Sequence, residues 1–430
     1  MAQIHWVDVL IAPLTWLERT RGRRRLALLM LYALILAVGG ALIGREAVLW
    51  QLPDAPEPFD LAKYSHVGLA DSDNAMVLYA QAVERLVSDK TLTNLPKGVG
   101  QEWDWRRADP KLRAWAESNQ VALDLWLEGS ERPDALLVQP EQFVNSTPLN
   151  VLNDLRTLAQ LGTLEATRRQ DLGDLEGAWT GYHALIRSGL RAGRHGGVIS
   201  AGTSSAILRL AIPQVIGWVD DPRVTPALLR HAIADLAGCR ALMPSAAELI
   251  RVEYLKYRAE LVNEFQWRDS RLAPDDPFAW TNHLPAIVWL KVFLANEPKR
   301  SLKVLRLITA GQLAQCDRPF GDRPPVVSDL FLIYAIDART PANLARIKPQ
   351  VLADWARACS FGAVGNELSF GQGVIRATEG QFDQLRTRMA ERAFQLDHDG
   401  QPARTFGDLF PAYLDALPAG ITAGDLLAAP

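Results

Sequence analysis

Eighteen consecutive residues without a charge, Leu26 to Ile43, follow a crowd of arginines at Arg19, Arg21, Arg23, Arg24 and Arg25. No other stretch constrains the chain as much. As a helix it reaches about 27 Å, close to the roughly 30 Å of a bilayer core. Ten of its residues are Leu, Ile or Val, enough to favour insertion by a few kcal/mol. Trp16 and Trp50 suit the two interfaces, and Arg45 can snorkel outward. A cleaved signal would need small residues at its end, and Arg45-Glu46 stands there instead. A soluble core helix rarely carries five arginines at one end. The reading is an uncleaved anchor, with the lipid bilayer as partner of residues 26–44. Because the arginines lie on the N-terminal side, that side is expected in the cytoplasm and the bulk of the chain in a bacterial periplasm. Residues 4–17 (IHWVDVLIAPLTWL) read equally as an interfacial segment or a disordered tail. Gly40 and Gly44 form a GxxxG pair, the surface a homodimer through the membrane helix would use.

The rest of the chain reads as all-α, an irregular stack of helical hairpins. Gln51–Asp60 (QLPDAPEPFD) is rich in proline and acid and reads as an extended spacer. Asp109-Pro110 opens a helix with an N-cap and a proline at its first position, and Gly129 is expected to end it. Thr147-Pro148, Thr225-Pro226 and Thr340-Pro341 repeat that signal. Ser245 with Glu248 and Thr378 with Gln381 fit capping boxes. Two apolar stripes, Leu152–Ala166 and Ala178–Gly189, flank the turn Asp171-Leu-Gly173-Asp174. The apolar segment 283–295 is too short for a span and reads as a core helix. Asp317–Pro325 reads as a loop between subdomains. The divisions are a cytoplasmic juxtamembrane segment (1–25), a transmembrane helix (26–44), a proline-rich linker (45–60), a helical-hairpin domain (61–316) and a C-terminal helical subdomain with a docked tail (317–430).

A net charge of -3 over 430 residues offers no field to gather nucleic acid, and that class of partner is set aside. The sequence contains no HExxH, CxxC, SxxK or P-loop, so no metal or cofactor is implied. Cys239, Cys316 and Cys359 are an odd set in apolar contexts and read as buried thiols, with one disulfide at most. His195-Gly196-Gly197 before Gly202-Thr-Ser204 has a hydrolase look but lacks the preceding strand, and reads as a flexible interhelical loop. In the helix from Ala246, residues Glu253, Tyr257, Glu260 and Glu264 fall within about 60° of one another. Clustered carboxylates can raise a pKa and supply a general acid. The favoured reading is a solvated face, with Glu253, Glu260 and Glu264 as weak catalytic candidates. An enzyme is the less favoured class.

The tail AERAFQLDHDGQPARTFGDLFPAYLDALP, residues 390–418, resembles a segment of general-secretion pseudopilins. Gly400, Pro402, Leu409, Pro411, Tyr413, Leu414, Leu417 and Pro418 carry the likeness. It departs from that pattern after Pro418, where Ala-Gly-Ile-Thr replaces Asp-Pro, so no calcium loop is carried over. Residues 164–186 resemble one tetratricopeptide-type hairpin, without the repeating period. The layout as a whole resembles a set of uncharacterised bacterial membrane-anchored helical proteins, which open with an asparagine-alanine helix (here DSDNAMVLYAQAVERL). The resemblance implies no known activity. The function expected is interaction or scaffolding, with a protein partner in the periplasm. Alternatives are a periplasmic glycan hydrolase using a glutamate of the 253–264 stripe, or a pilus-type assembly component. The tail itself is expected to fold back on helix 379–396.

Overall fold

Helix starts in this chain are made where a side chain supplies the missing backbone partner. The computed structural model describes residues 23–50, 56–87, 104–143, 150–269, 297–316, 364–418 and 421–427. These residues form helices and, among them, no strand. In chain order the helices are α1 (Arg23–Trp50), α2 (Leu61–Ser65), α3 (Ala75–Arg85), α4 (Pro110–Ser118), α5 (Gln120–Glu131), α6 (Asn150–Asp171) and α7 (Leu175–Ala192). They continue as α8 (Val198–Val219), α9 (Pro226–Cys239), α10 (Ala246–Asp269), α11 (Glu297–Cys316), α12 (Val364–Asp397) and the single turn α13 (Phe406–Leu409). Thr147-Pro148, Thr340-Pro341 and segments 283–295 and 317–325 lie outside the described residues.

Asp109 caps α4 by accepting from the Leu112 amide at 2.8 Å, and Thr225 caps α9 through the Leu228 amide at 3.3 Å. Asn74 does more. Its Oδ1 accepts from the amides of Met76 at 3.0 Å and Leu136 at 2.8 Å, and its Nδ2 donates to the Leu136 carbonyl at 2.9 Å. One short amide therefore starts α3 and ties it to the loop after α5.

Three sequence expectations need correction. The helix expected from Asp109 to Gly129 breaks at Asn119, whose buried side chain bonds the Trp115 carbonyl and the Val87 amide. Gly129 does not end α5. It lies inside it, where an added Cβ would stand 2.8 Å from the Tyr79 ring. Thr378 starts nothing, because α12 runs unbroken from Val364 to Asp397.

The α6–α7 hairpin forms where the two stripes place it. Gly173 takes φ +88, which lets the chain reverse, and Asp174 then caps α7 through the Gly177 amide at 2.9 Å. Gly181 brings the two helices together, since a Cβ there would sit 3.0 Å from that of Ala166. Helix α8 packs on α7, α6 and α12, and α9 packs on α12. Trp126, Trp179, Trp218, Tyr182 and Phe382 are buried in one continuous core. The rings of Trp179 and Trp218 stack at 5.2 Å.

Helix α8 is, among the described residues, the one long and apolar enough to cross a membrane by length and composition, and 56% of that window is buried in protein. It belongs to the core. In α1 the described apolar part is the shorter stretch Leu28–Gly40. The helix itself continues through Arg45 and Glu46 to Trp50. The end of the spacer is packed, not free. The Glu57 carboxylate meets the Tyr254 hydroxyl, and Arg306 Nη2 at 2.6 Å, while Phe59 makes an edge contact with Tyr254 at 5.3 Å.

The tail folds back. After α12 the backbone turns through Asp399 (φ 51) and Gly400 (φ 83), the left-handed pair that ends a helix. Leu409 and Leu414 are buried against Ala390, and Tyr413 donates to Asp397 at 2.9 Å. Phe410 is the exception, 38% exposed.

Candidate functional site

The glutamate stripe is not a solvated face where it is described. Glu253 is 1% exposed. One of its oxygens accepts from the Val198 amide at 2.5 Å, and the other lies 2.6 Å from Lys256 Nζ. Helix α8 has no side-chain cap of its own, because Gly197 stands at that position. The N-terminal partial charge of α8 is met by a carboxylate delivered from α10. Gly197 is what allows the approach, since a Cβ there would collide with Glu253 Oε1 at 2.1 Å. Tyr257 is buried beside Lys256, whose Nζ lies 4.5 Å from the ring centre. Buried between the Val198 amide and Lys256, Glu253 serves as the cap of α8. Glu260 and Glu264 belong to α10, and their side chains lie outside the described residues.

A second polar cluster joins the same elements. The turn between α7 and α8 carries His195, with φ 53. Its Nε2 lies 3.0 Å from Asp134 Oδ2 and its Nδ1 3.0 Å from Glu248 Oε1. Two carboxylates on two ring nitrogens require both nitrogens to carry protons, so the ring is an imidazolium. Burial opposes that charge, but the hydrogen bonds to Asp134 and Glu248 outweigh it and hold the pKa at about 9. Burial likewise opposes ionisation of Asp134 and Glu248, and the bonds to His195 keep both below the usual carboxylate range. Arg194 adds an ion pair to Asp134 at 3.2 Å. Ser245 does cap α10 through the Glu248 amide at 3.0 Å. The Glu248 side chain is spent on His195 and not on closing the capping box. The glycine-rich turn is thus a pinned corner instead of a flexible loop. Ser204 is buried and its hydroxyl makes no hydrogen bond to the ring.

Cys239 and His183 form a third pair, with Sγ 3.3 Å from Nε2. Burial pushes the Cys239 thiol up to about 12 and holds His183 below its usual value. A neutral thiol of this kind is a poor nucleophile. Among the described residues neither Cys239 nor Cys316 forms a disulfide. Cys239 is buried as expected, Cys316 is only half-buried, and Cys359 lies outside the described residues.

The remaining site is a groove of about 1120 Å³ between the ends of α8 and α9, the exposed side of α12 and the tail. Its rim is ionic. Arg240 pairs with Asp383 at 3.2 Å, and Arg388 with Asp220 at 2.9 Å and Glu391 at 3.6 Å. Ile216, Met243, Phe406 and Leu427 supply apolar wall. Burial raises the pKa of Glu379, helped by the charge of Asp383, and burial also raises that of Glu391. Glu379 and Glu391 are about 18 Å apart along α12, beyond the roughly 5–9.5 Å that glycoside hydrolysis requires. Asp383, one turn from Glu379, is held by Arg240 on the same wall. Nothing in the sequence pointed to this groove, because its walls come from segments about 150 residues apart. Among the described residues no group of three or more His, Cys, Asp or Glu is placed to hold a metal ion.

Comparison with known proteins gives no matching family model, no matching curated protein and no matching solved structure.

Proposed function

We propose that this is a single-pass membrane protein with an outward-facing helical domain that binds a protein partner in the periplasm. The observation that carries the anchor is the surface of α1. Residues 33–38 are all exposed, and six consecutive helical residues sweep about 500°, more than a full circle. Leu26 at 63% and Ile43 at 73% exposed mark its two ends. A helix apolar all round belongs in a core or a bilayer, and among the described residues no core forms around α1. The arginine flank supports a cytoplasmic N-terminus. The GxxxG pair of Gly40 and Gly44 supports a second copy of α1 as neighbour.

The groove supports binding over catalysis. It offers apolar wall with arginine and carboxylate at its rim, the makeup of a peptide-binding cleft, and its carboxylates do not form a catalytic pair. Reporter enzymes fused after Pro58 test the topology, and a cytoplasmic signal overturns it. Co-purification of the intact protein from native membranes, beside an Arg240→Glu, Arg388→Glu double variant, tests the groove. A partner retained equally by both proteins overturns that assignment.

A further inference from the structure

The tether from the membrane helix enters the domain at one defined point. Glu57 lies between the Tyr254 hydroxyl, Arg306 Nη2 at 2.6 Å and Arg258 Nε at 3.4 Å. Three residues on, Asp60 caps α2 through the Ala62 amide at 3.1 Å. Six residues separate Glu57 from Trp50, the last residue of α1, which is seven Cα–Cα steps. Even fully extended, that length reaches only about 25 Å. A domain of this size is roughly 50 Å across, so the face that holds Glu57 must be the face nearest the bilayer.

That face is basic. At 100° per residue, Arg251 and Arg258 fall within about 20° of each other on α10. Glu253, Glu260 and Glu264 occupy positions roughly 120° or more away from them. The guanidinium of Arg251 sits 4.2 Å from the centre of the Tyr64 ring, and Lys63 beside it is exposed. Arg306 comes from α11, where positions 299 and 303, both lysine, share its register. Against Lys63, Arg251, Arg258 and Arg306 stand Glu57 and Asp60. Burial opposes the Glu57 charge, but its bonds to Tyr254 and Arg306 keep it ionised.

We propose that the face of the domain around Glu57 rests on the anionic phospholipid headgroups of the bilayer that α1 crosses. This rests on the anchor reading above and adds what the near face touches. Clustered lysines and arginines beside a membrane segment are attracted to an anionic surface, and salt weakens the attraction. The short tether holds these residues at that surface at high local concentration.

The test uses the full chain reconstituted into vesicles of phosphatidylcholine alone or mixed with phosphatidylglycerol. Flotation reports insertion, and an amine-reactive reagent reports lysine access. Lys63 is expected to be modified about fivefold more slowly in the anionic vesicles. Lys111, exposed on α4, serves as the control and is expected to react alike in both. About 0.5 M salt should abolish the difference, and Arg251→Glu should reduce it without moving the melting temperature. Equal modification of Lys63 in both lipids, with the protein still floating, overturns the inference and leaves the anchor standing. A protein that floats with neither vesicle overturns the anchor and the inference together.

Discussion

Among the described residues α8 is one long apolar helix and α1 carries a shorter apolar stretch, and the two end in opposite places. Helix α8 carries one charged residue, Arg209, in twenty-two, and the domain closes around it. Helix α1 carries its apolar run from Leu26 to Ile43, and exposes residues on every side. Composition does not separate the two. What does is whether other elements present apolar surface to the helix. Helix α8 has α7, α6 and α12 as neighbours and a carboxylate from α10 at its first amide. Helix α1 keeps an apolar surface exposed, the surface that the proposed anchor would give to lipid.

Glu253→Ala tests this contrast most severely. It removes the cap of α8 and the carboxylate that faces buried Lys256, a change that costs about 3–5 kcal/mol. Thermal or denaturant melting should show it, and a near-native melt would mean that α8 does not depend on its borrowed cap. Leu208→Ala comes next. Leu208 is fully buried, and the cavity should cost about 2–5 kcal/mol. Leu34→Ala in α1, where the side chain is 60% exposed, should leave the melting of the domain within about 0.5 kcal/mol of wild type. Equal losses in the two variants would erase the distinction.

The third test is pH. The His195 pKa is raised to about 9, above its ordinary value of about 6.5. Its contribution is therefore complete below about pH 6.5 and is lost as pH climbs through about 9, a total of about 3 kcal/mol. Melting curves from pH 6 to 9.5 should fall on the alkaline side. His195→Asn, which keeps a residue tolerant of the left-handed backbone, should flatten that slope. The same slope in both proteins would remove His195 from the corner that starts α8. The last comparison uses a pair of glycines. A Cβ on Gly189 would lie 3.0 Å from Ile207 Cγ2, so Gly189→Ala should cost about 1–3 kcal/mol through overpacking against α8. Gly40→Ala, with open space around it, should leave the melting of the domain unchanged.

The same division runs through what was legible in the residues. Signals whose partners lie within three or four positions were readable in advance. Asp109 and Thr225 cap the helices they precede, Gly173 turns the hairpin, and Gly400 ends α12. Their geometry is local, so neighbouring residue types are enough to specify it. The apolar run of α1 and the helical period of the chain belong to this class as well. Thr378 shows where local reading misleads, because a cap signal inside a helix with tertiary support does not start a new one.

What only the tertiary structure decided involves partners far apart in the chain. Glu253 and Val198 are 55 residues apart, and His195 and Asp134 are 61 apart. The helical period placed Glu253 on a carboxylate face, and it could not say that Gly197 would stand opposite to admit it. Nor could it say that Glu248 would turn from its own helix end to His195. Side-chain charge and spacing follow from residue order, whereas burial and partner depend on which distant backbone arrives alongside. That is why the residues could announce a helical protein, and why only the packed domain shows Glu253 as a cap, His195 as an imidazolium pin and Glu57 held between Tyr254 and Arg306.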